Sequence, residues 1–161
     1  MPADQGDERK PLVGRLLRVR WLVRAPIWLY RARLGFLFGS RALMLEHIGR
    51  NSGLRRYVVL EVVSQRGPDR CVIVSGFGPS AQWFQNVLAH PQVRVSVGLR
   101  YRVPAEARQL GAEGAKTVLA GYAARHPKLW KTLEPVLDAS MEESDDAGLP
   151  QVPVVELHLQ R

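Results

Sequence analysis

Eight residues from Gly49 to Arg56, GRNSGLRR, place three arginines and two glycines on one tight connection between two apolar runs. Guanidinium forks match phosphate and carboxylate oxygens two at a time, and glycines let backbone N–H groups turn toward an anion. Arg50 and Arg56 are therefore candidate anion ligands. The flanking runs, 41–48 (RALMLEHI) and 57–63 (YVVLEVV), are apolar and partly β-branched, which predicts two strands joined by a turn at Asn51, Ser52 and Gly53. Taken alone, the same residues equally describe a solvated hairpin with incidental arginines.

Other chemistries find little support. His47, His90, His126 and His158 are scattered, and the single cysteine, Cys71, cannot complete a metal set or an intrachain disulfide. Cys71 opens the apolar run CVIVS and reads as a buried strand residue, which fits a reducing cytoplasm. No nucleophile elbow and no Walker-type loop is present.

At 161 residues and 46% hydrophobic content the chain is long enough for one domain with a sizeable core. Its net charge of +8 is uneven: residues 9–41 hold nine basic side chains and no acidic one, so the remainder carries a net −1. Leucine, tryptophan and phenylalanine interleave those cations. That mixture predicts an amphipathic segment that lies on an anionic membrane surface, or packs its apolar side on the domain and leaves arginines in water. The polar N-terminus, MPADQGDERK, is no signal peptide, and no apolar stretch approaches the ~20 residues of a membrane span. A cytoplasmic protein, soluble or peripheral on the membrane, is expected. A nucleic-acid partner is disfavoured, because the charge comes from one segment and little base-stacking chemistry lies outside it.

Residues 11–38 read as one or two helices, with Pro26 able to start the second. After the strands around the arginine turn come a turn at 65–69 (QRGPD) and a strand over 70–75. Gly76-Phe77-Gly78-Pro79 breaks the pattern, Ser80 is placed to cap a helix over 81–89, and His90-Pro91 closes it. Val93, Val95 and Val97 alternate with polar residues, predicting a strand with one wet face. A strand over 101–110 follows the turn at Gly98-Leu99, with Pro104 demanding an edge or a bulge. Helices are expected over 112–124 and beyond Pro127, then a last strand over 152–159 inside the sheet. The sum is α+β: six mostly antiparallel strands in a small barrel with flanking helices, residues 41–161, preceded by the basic segment 1–40.

Two motifs in order give the chain a resemblance. GRNSGLRR is similar to the Gly-Arg-Lys-Ser/Thr-Gly-x-x-Arg of the deazaflavin (F420)-dependent nitroreductase family, and 75–91 (SGFGPSAQWFQNVLAHP) is similar to its Ser/Gly-rich loop and Trp-x-x-Asn helix. The resemblance runs loosely from Leu43 to Leu159 and implies a split β-barrel related to flavin-binding reductases. It implies coenzyme F420 as cofactor, a deazaflavin with a phosphate and a polyglutamate tail, and hydride transfer to a quinone- or nitro-type small-molecule acceptor. By the motif, Arg50, Asn51, Ser52 and Arg56 hold the tail, Ser75, Gly76, Phe77 and Gly78 let backbone approach the ring, and Gln82, Trp83 and Asn86 line the pocket. Asn51 stands where a lysine is common. The stretch 125–130 (RHPKLW) lacks the tyrosine that helps protonate substrate in better-known members, which makes His126 the nearest titratable substitute. The alternatives are a split-barrel reductase using FMN or haem, and a non-enzymatic F420 carrier.

Overall fold

The computed structural model describes residues 27, 29–76, 78–128, 130–131 and 152–161. Its strands are β1 (Ala42–Ile48), β2 (Arg55–Glu61), β3 (Ser64–Gln65), β4 (Arg70–Val74), β5 (Gln92–Val97), β6 (Arg100–Gln109) and β7 (Val154–Leu159). Helix α1 (Gln82–Ala89) precedes β5, and α2 (Ala112–Arg125) follows β6. All strands join one antiparallel sheet in the order β2-β1-β5-β6-β7-β4-β3. The sheet curls until β2 packs beside β4, a half-barrel with few helices.

Seven strands stand where the sequence predicts six. The addition is β3, whose two residues pair with Val72 and Cys71 across a turn that Gly67 closes at φ 85°. Two residues carry no readable alternation, so the sequence places them in the end of one run and the start of the next turn.

Strand alternation sorts β1 into two faces. Leu43 and Leu45 enter the main core with Ile73, Val93, Val95, Val155 and Leu157, and α1 adds Trp83, Phe84 and Val87 to it. His47 shares that parity. Val118 of α2 packs with Val72 and Val154 in a smaller second cluster. Cys71 is buried as expected, and burial pushes its thiol up.

The predicted wet face of β5 holds at Arg94 and fails at Ser96, which is buried. Ser96 Oγ accepts the backbone N–H of Arg102, and the Arg102 fork donates to both carboxylate oxygens of buried Glu46 at 2.8 and 3.0 Å. The β5–β6 register slips between Val95 and Val97, and Arg102 takes φ 51°. Pro104 sits in β6, which has neighbours on both sides. Its carbonyl accepts from Gln160 just past the end of β7, so its missing N–H faces the point where pairing stops. The C-terminal strand lies between β6 and β4, as expected.

Before β1, residues 29–31 are helical and Gly35–Phe38 forms a 3-10 turn. Tyr30 is fully buried there: its hydroxyl donates to Ala42 O at 2.6 Å, its ring stacks on Phe38, and Gly35 leaves room for it. Residues 1–26, including Pro26 and most of the basic segment, lie outside the described residues, as do Leu133 and Leu137 of the helix expected beyond Pro127. No described helix is long and apolar enough to cross a membrane.

Candidate active site

The β1–β2 connection is closed by its own backbone hydrogen bonds. Gly49 N–H donates to Leu54 O and Gly49 O accepts from Gly53 N–H, which takes φ 66°. A Cβ on Gly49 would stand 2.5 Å from Ser52 Oγ, so any larger residue there would have to turn the serine side chain aside. Ser52 Oγ in turn accepts the Leu54 N–H.

Helix α1 meets this turn. Its N-cap is Ala81 with no side-chain cap, so Ser80 does not play the capping part the sequence gives it. Asn86 Oδ1 accepts the Arg50 backbone N–H at 3.0 Å and Arg50 Nη1 at 3.1 Å, and Gln82 Oε1 accepts from Nη1 at 3.1 Å. Arg50 is thus held from 36 residues away before any ligand arrives.

Between the turn and α1 opens a cleft of about 770 Å³, within the range of small-molecule sites. Of the residues implied by the resemblance, Arg50, Asn51, Ser52, Arg56, Gln82, Trp83 and Asn86 line it. Among the described residues, its lining carries two arginines and no acidic side chain. Trp83 both lines the cleft and joins the core, with Phe84 edge-on behind it. Arg55, the third arginine of the motif, approaches Glu46 at 3.6 Å instead.

Other expected residues lie elsewhere. Ser75 is buried, its Oγ donating to Gly78 O at 2.7 Å and its N–H to Pro153 O, so it ties the loop together rather than facing the cleft. Gly76 and Gly78 are not among the lining residues either, and Phe77 lies outside the described residues. His126 is the exposed C-cap of α2, its ring against Tyr122. Tyr122 donates to Glu61, five residues along β2 from Arg56 and so roughly 17 Å away. The structure does not bring His126 to the cleft.

His47, Tyr57, Val58, Ser80 and Ala81, which no sequence motif assigns to the site, also line the cleft. His47 carried a usable signal: it occupies an inward position of β1 in step with Leu43 and Leu45, where a polar side chain needs a partner. That partner is Asn86, whose Nδ2 lies 3.2 Å from His47 Nδ1. Asn86 Oδ1 already accepts from Arg50, so Nδ2 is the donor and Nδ1 the acceptor, leaving the proton of a neutral ring on Nε2. Burial first and the Arg56 charge second push His47 down to about 4.

A pH dependence follows. Well above pH 6.5 the ring is neutral whether the chain is folded or unfolded. As pH falls from 6.5 toward 4 the unfolded chain takes a proton the folded one refuses, and stability drops by up to ~3 kcal/mol. Urea midpoints measured between pH 7 and 4.5 should fall more steeply for the native protein than for His47→Gln; parallel curves would refute the shift.

Comparison with known proteins bears on the family and the fold. The F420H(2)-dependent quinone reductase family matches residues 22–132, more than half of the chain. No curated protein matches. A solved F420-H2 dependent reductase (FDR-A) superposes with a TM-score of 0.53 at 23% identity, covering 73% of this chain and 94% of that one. HutZ, the heme storage protein from Vibrio cholerae, gives 0.52 at 15% identity over 78% and 86%. Protein Atu2129 from Agrobacterium tumefaciens gives 0.52 at 17% identity over 84% and 55%. At these identities the structures establish the shared fold. The family match goes further: the chain belongs to the F420H(2)-dependent quinone reductases and is an F420-dependent reductase.

Proposed function

We propose that the protein binds reduced F420 in the cleft between the arginine turn and α1 and reduces a quinone-type acceptor there. The observation that carries this reading is the prearranged Arg50, fixed by Gln82 and Asn86 at the mouth of a cleft whose lining includes Tyr57, Val58, Ala81 and Trp83. A cationic mouth above an apolar, aromatic wall suits a ligand with an anionic tail and a flat ring.

The residues present fit such a cofactor. Arg50 and Arg56 would hold tail oxygens by charge-assisted hydrogen bonds, with Asn51 and Ser52 beside them. Because Arg50 is already ordered, little side-chain freedom is lost on binding. Trp83 offers a flat wall, and the Ser75–Gly78 hydrogen bond steadies the loop that leads into α1. When bound and reduced, the cofactor supplies a hydride, and hydride plus proton convert a quinone to its quinol. The chain's task is to place the two rings together and keep the tail fixed. With His126 distant, the proton that accompanies the hydride would come from solvent at the cleft mouth.

Peripheral membrane association belongs to the same proposal. Leu34, Phe36 and Leu37 are exposed in the described end of the basic segment, which would bring the cleft near lipid-soluble acceptors. Oxidation of F420H(2) should therefore be followed with a soluble naphthoquinone and with a long-chain quinone in anionic vesicles. Turnover with the soluble quinone supports the acceptor class, and faster turnover on vesicles supports docking. Reduction of neither would overturn the quinone reading, and equal rates would overturn the membrane one.

A further inference from the structure

We propose that His47 is a neutral hydrogen-bond donor at the closed end of the cleft, locked as the Nε2–H tautomer by Asn86, and that it binds an uncharged acceptor atom of the flat ring. The inference rests on the F420 reading and adds a residue and a polarity to it.

Exposure sets the two ends of the cleft apart. Arg50, Asn51, Ser52 and Arg56 are exposed at its mouth, whereas His47 is only 4% exposed and sits on the inward face of β1. A ligand reaching both ends must lay its anionic part at the mouth and its ring inward. His47 lines the cleft and spends Nδ1 on Asn86, so Nε2–H is the polar atom that its ring has left for an occupant. Arg56, its cross-strand neighbour in the β1–β2 register, opposes protonation. Protonating Nδ1 would also set two donors face to face, and Asn86 cannot turn its amide without breaking both bonds to Arg50.

The lock therefore works in both directions. Asn86 is a positioning residue that reports the state of Arg50 at the mouth to His47 within. An imidazolium there would favour an anion at the inner end and allow the ligand to bind reversed. The neutral donor instead rewards a carbonyl oxygen or a ring nitrogen, so orientation is selected by charge.

The test uses the full chain labelled with 15N-histidine and two probes, F420 and its tail-less deazaflavin riboside. In the free protein at pH 7, His47 should show a protonated Nε2 and a bare Nδ1. Adding the riboside should shift the Nε2–H resonance and leave Nδ1 in place. In parallel, His47→Phe should weaken riboside and F420 binding each by about tenfold while the salt dependence of F420 binding is unchanged. His47→Gln, whose amide can accept from Asn86 and donate inward, should restore affinity to within about threefold. An Nδ1–H tautomer, an Nε2–H unmoved by bound riboside, or equal binding by His47→Phe and native protein would each overturn the proposal. Failure of F420 itself to bind the native protein would instead sink the cofactor site, and the tautomer of the free protein tells the two failures apart.

Discussion

Replacing Arg50 and Arg56 together by alanine should lower the affinity for coenzyme F420 by about a thousandfold and leave the fold intact. Each arginine is placed to make charge-assisted hydrogen bonds worth ~1.5–3 kcal/mol, and two such losses reach roughly three decades in Kd. Arg50→Ala alone also strips Gln82 and Asn86 of the donor they share, so it should cost more than Arg56→Ala. Both side chains are exposed, and substitution there should move stability by about half a kcal/mol or less. Arg55→Ala is the matched control. It removes the same charge from the same motif, but this side chain faces Glu46, so F420 binding should barely change. Fluorescence titration of the four variants decides the matter. Equal losses at Arg55 and Arg56 would mean that overall charge, rather than this cleft, attracts the tail.

Tyr30→Ala should destabilise the protein by ~3–5 kcal/mol, the range for emptying a buried aromatic site. Tyr30 is 1% exposed, and burial pushes its hydroxyl up to about 12. Its bond to Ala42 O pins the segment before β1 to the strand that carries His47 and leads into the arginine turn. Tyr30→Phe keeps the ring and removes only that hydrogen bond, which should cost about 1 kcal/mol. Gly35→Ala attacks the same contact from the other side, since its Cβ would stand 2.3 Å from the Tyr30 ring. Urea unfolding would check the order, with Tyr30→Ala lowest. A Tyr30→Ala midpoint near the native one would mean that this segment is not part of the folding unit.

Much of this architecture was legible from local pattern. The runs around the arginine turn, the valine alternation of β5 and the proline-closed α1 each follow from a few adjacent residues, and each element lies within a residue or two of its expected place. What local pattern could not carry is pairing at a distance. Buried Glu46 and Ser96 look like wet-face residues until Arg102 arrives from β6 at φ 51°. Pro104 reads as an edge signal because the sequence does not show that β7 stops beside it.

The cleft divides along the same line. Its arginines were visible as a motif, and the Trp-x-x-Asn helix as a second one. The contact between Arg50 and Asn86 spans 36 positions and appears only when the chain is folded. His126 is the nearest titratable group to a missing tyrosine, but α2 carries it to the far end of β2, while His47, two residues before the motif begins, lines the cleft. Titratable residues are brought to a site by strand parity and helix placement, not by proximity in a sequence pattern.

The most direct test of the central claim, that the cleft between the arginine turn and α1 is the F420 site, is hydrogen exchange of the protein with and without saturating F420. Slowed exchange confined to residues 47–58 and 80–86 is the predicted result, with α2 and its His126 end unchanged. Protection around α2 with none at the arginine turn would contradict it.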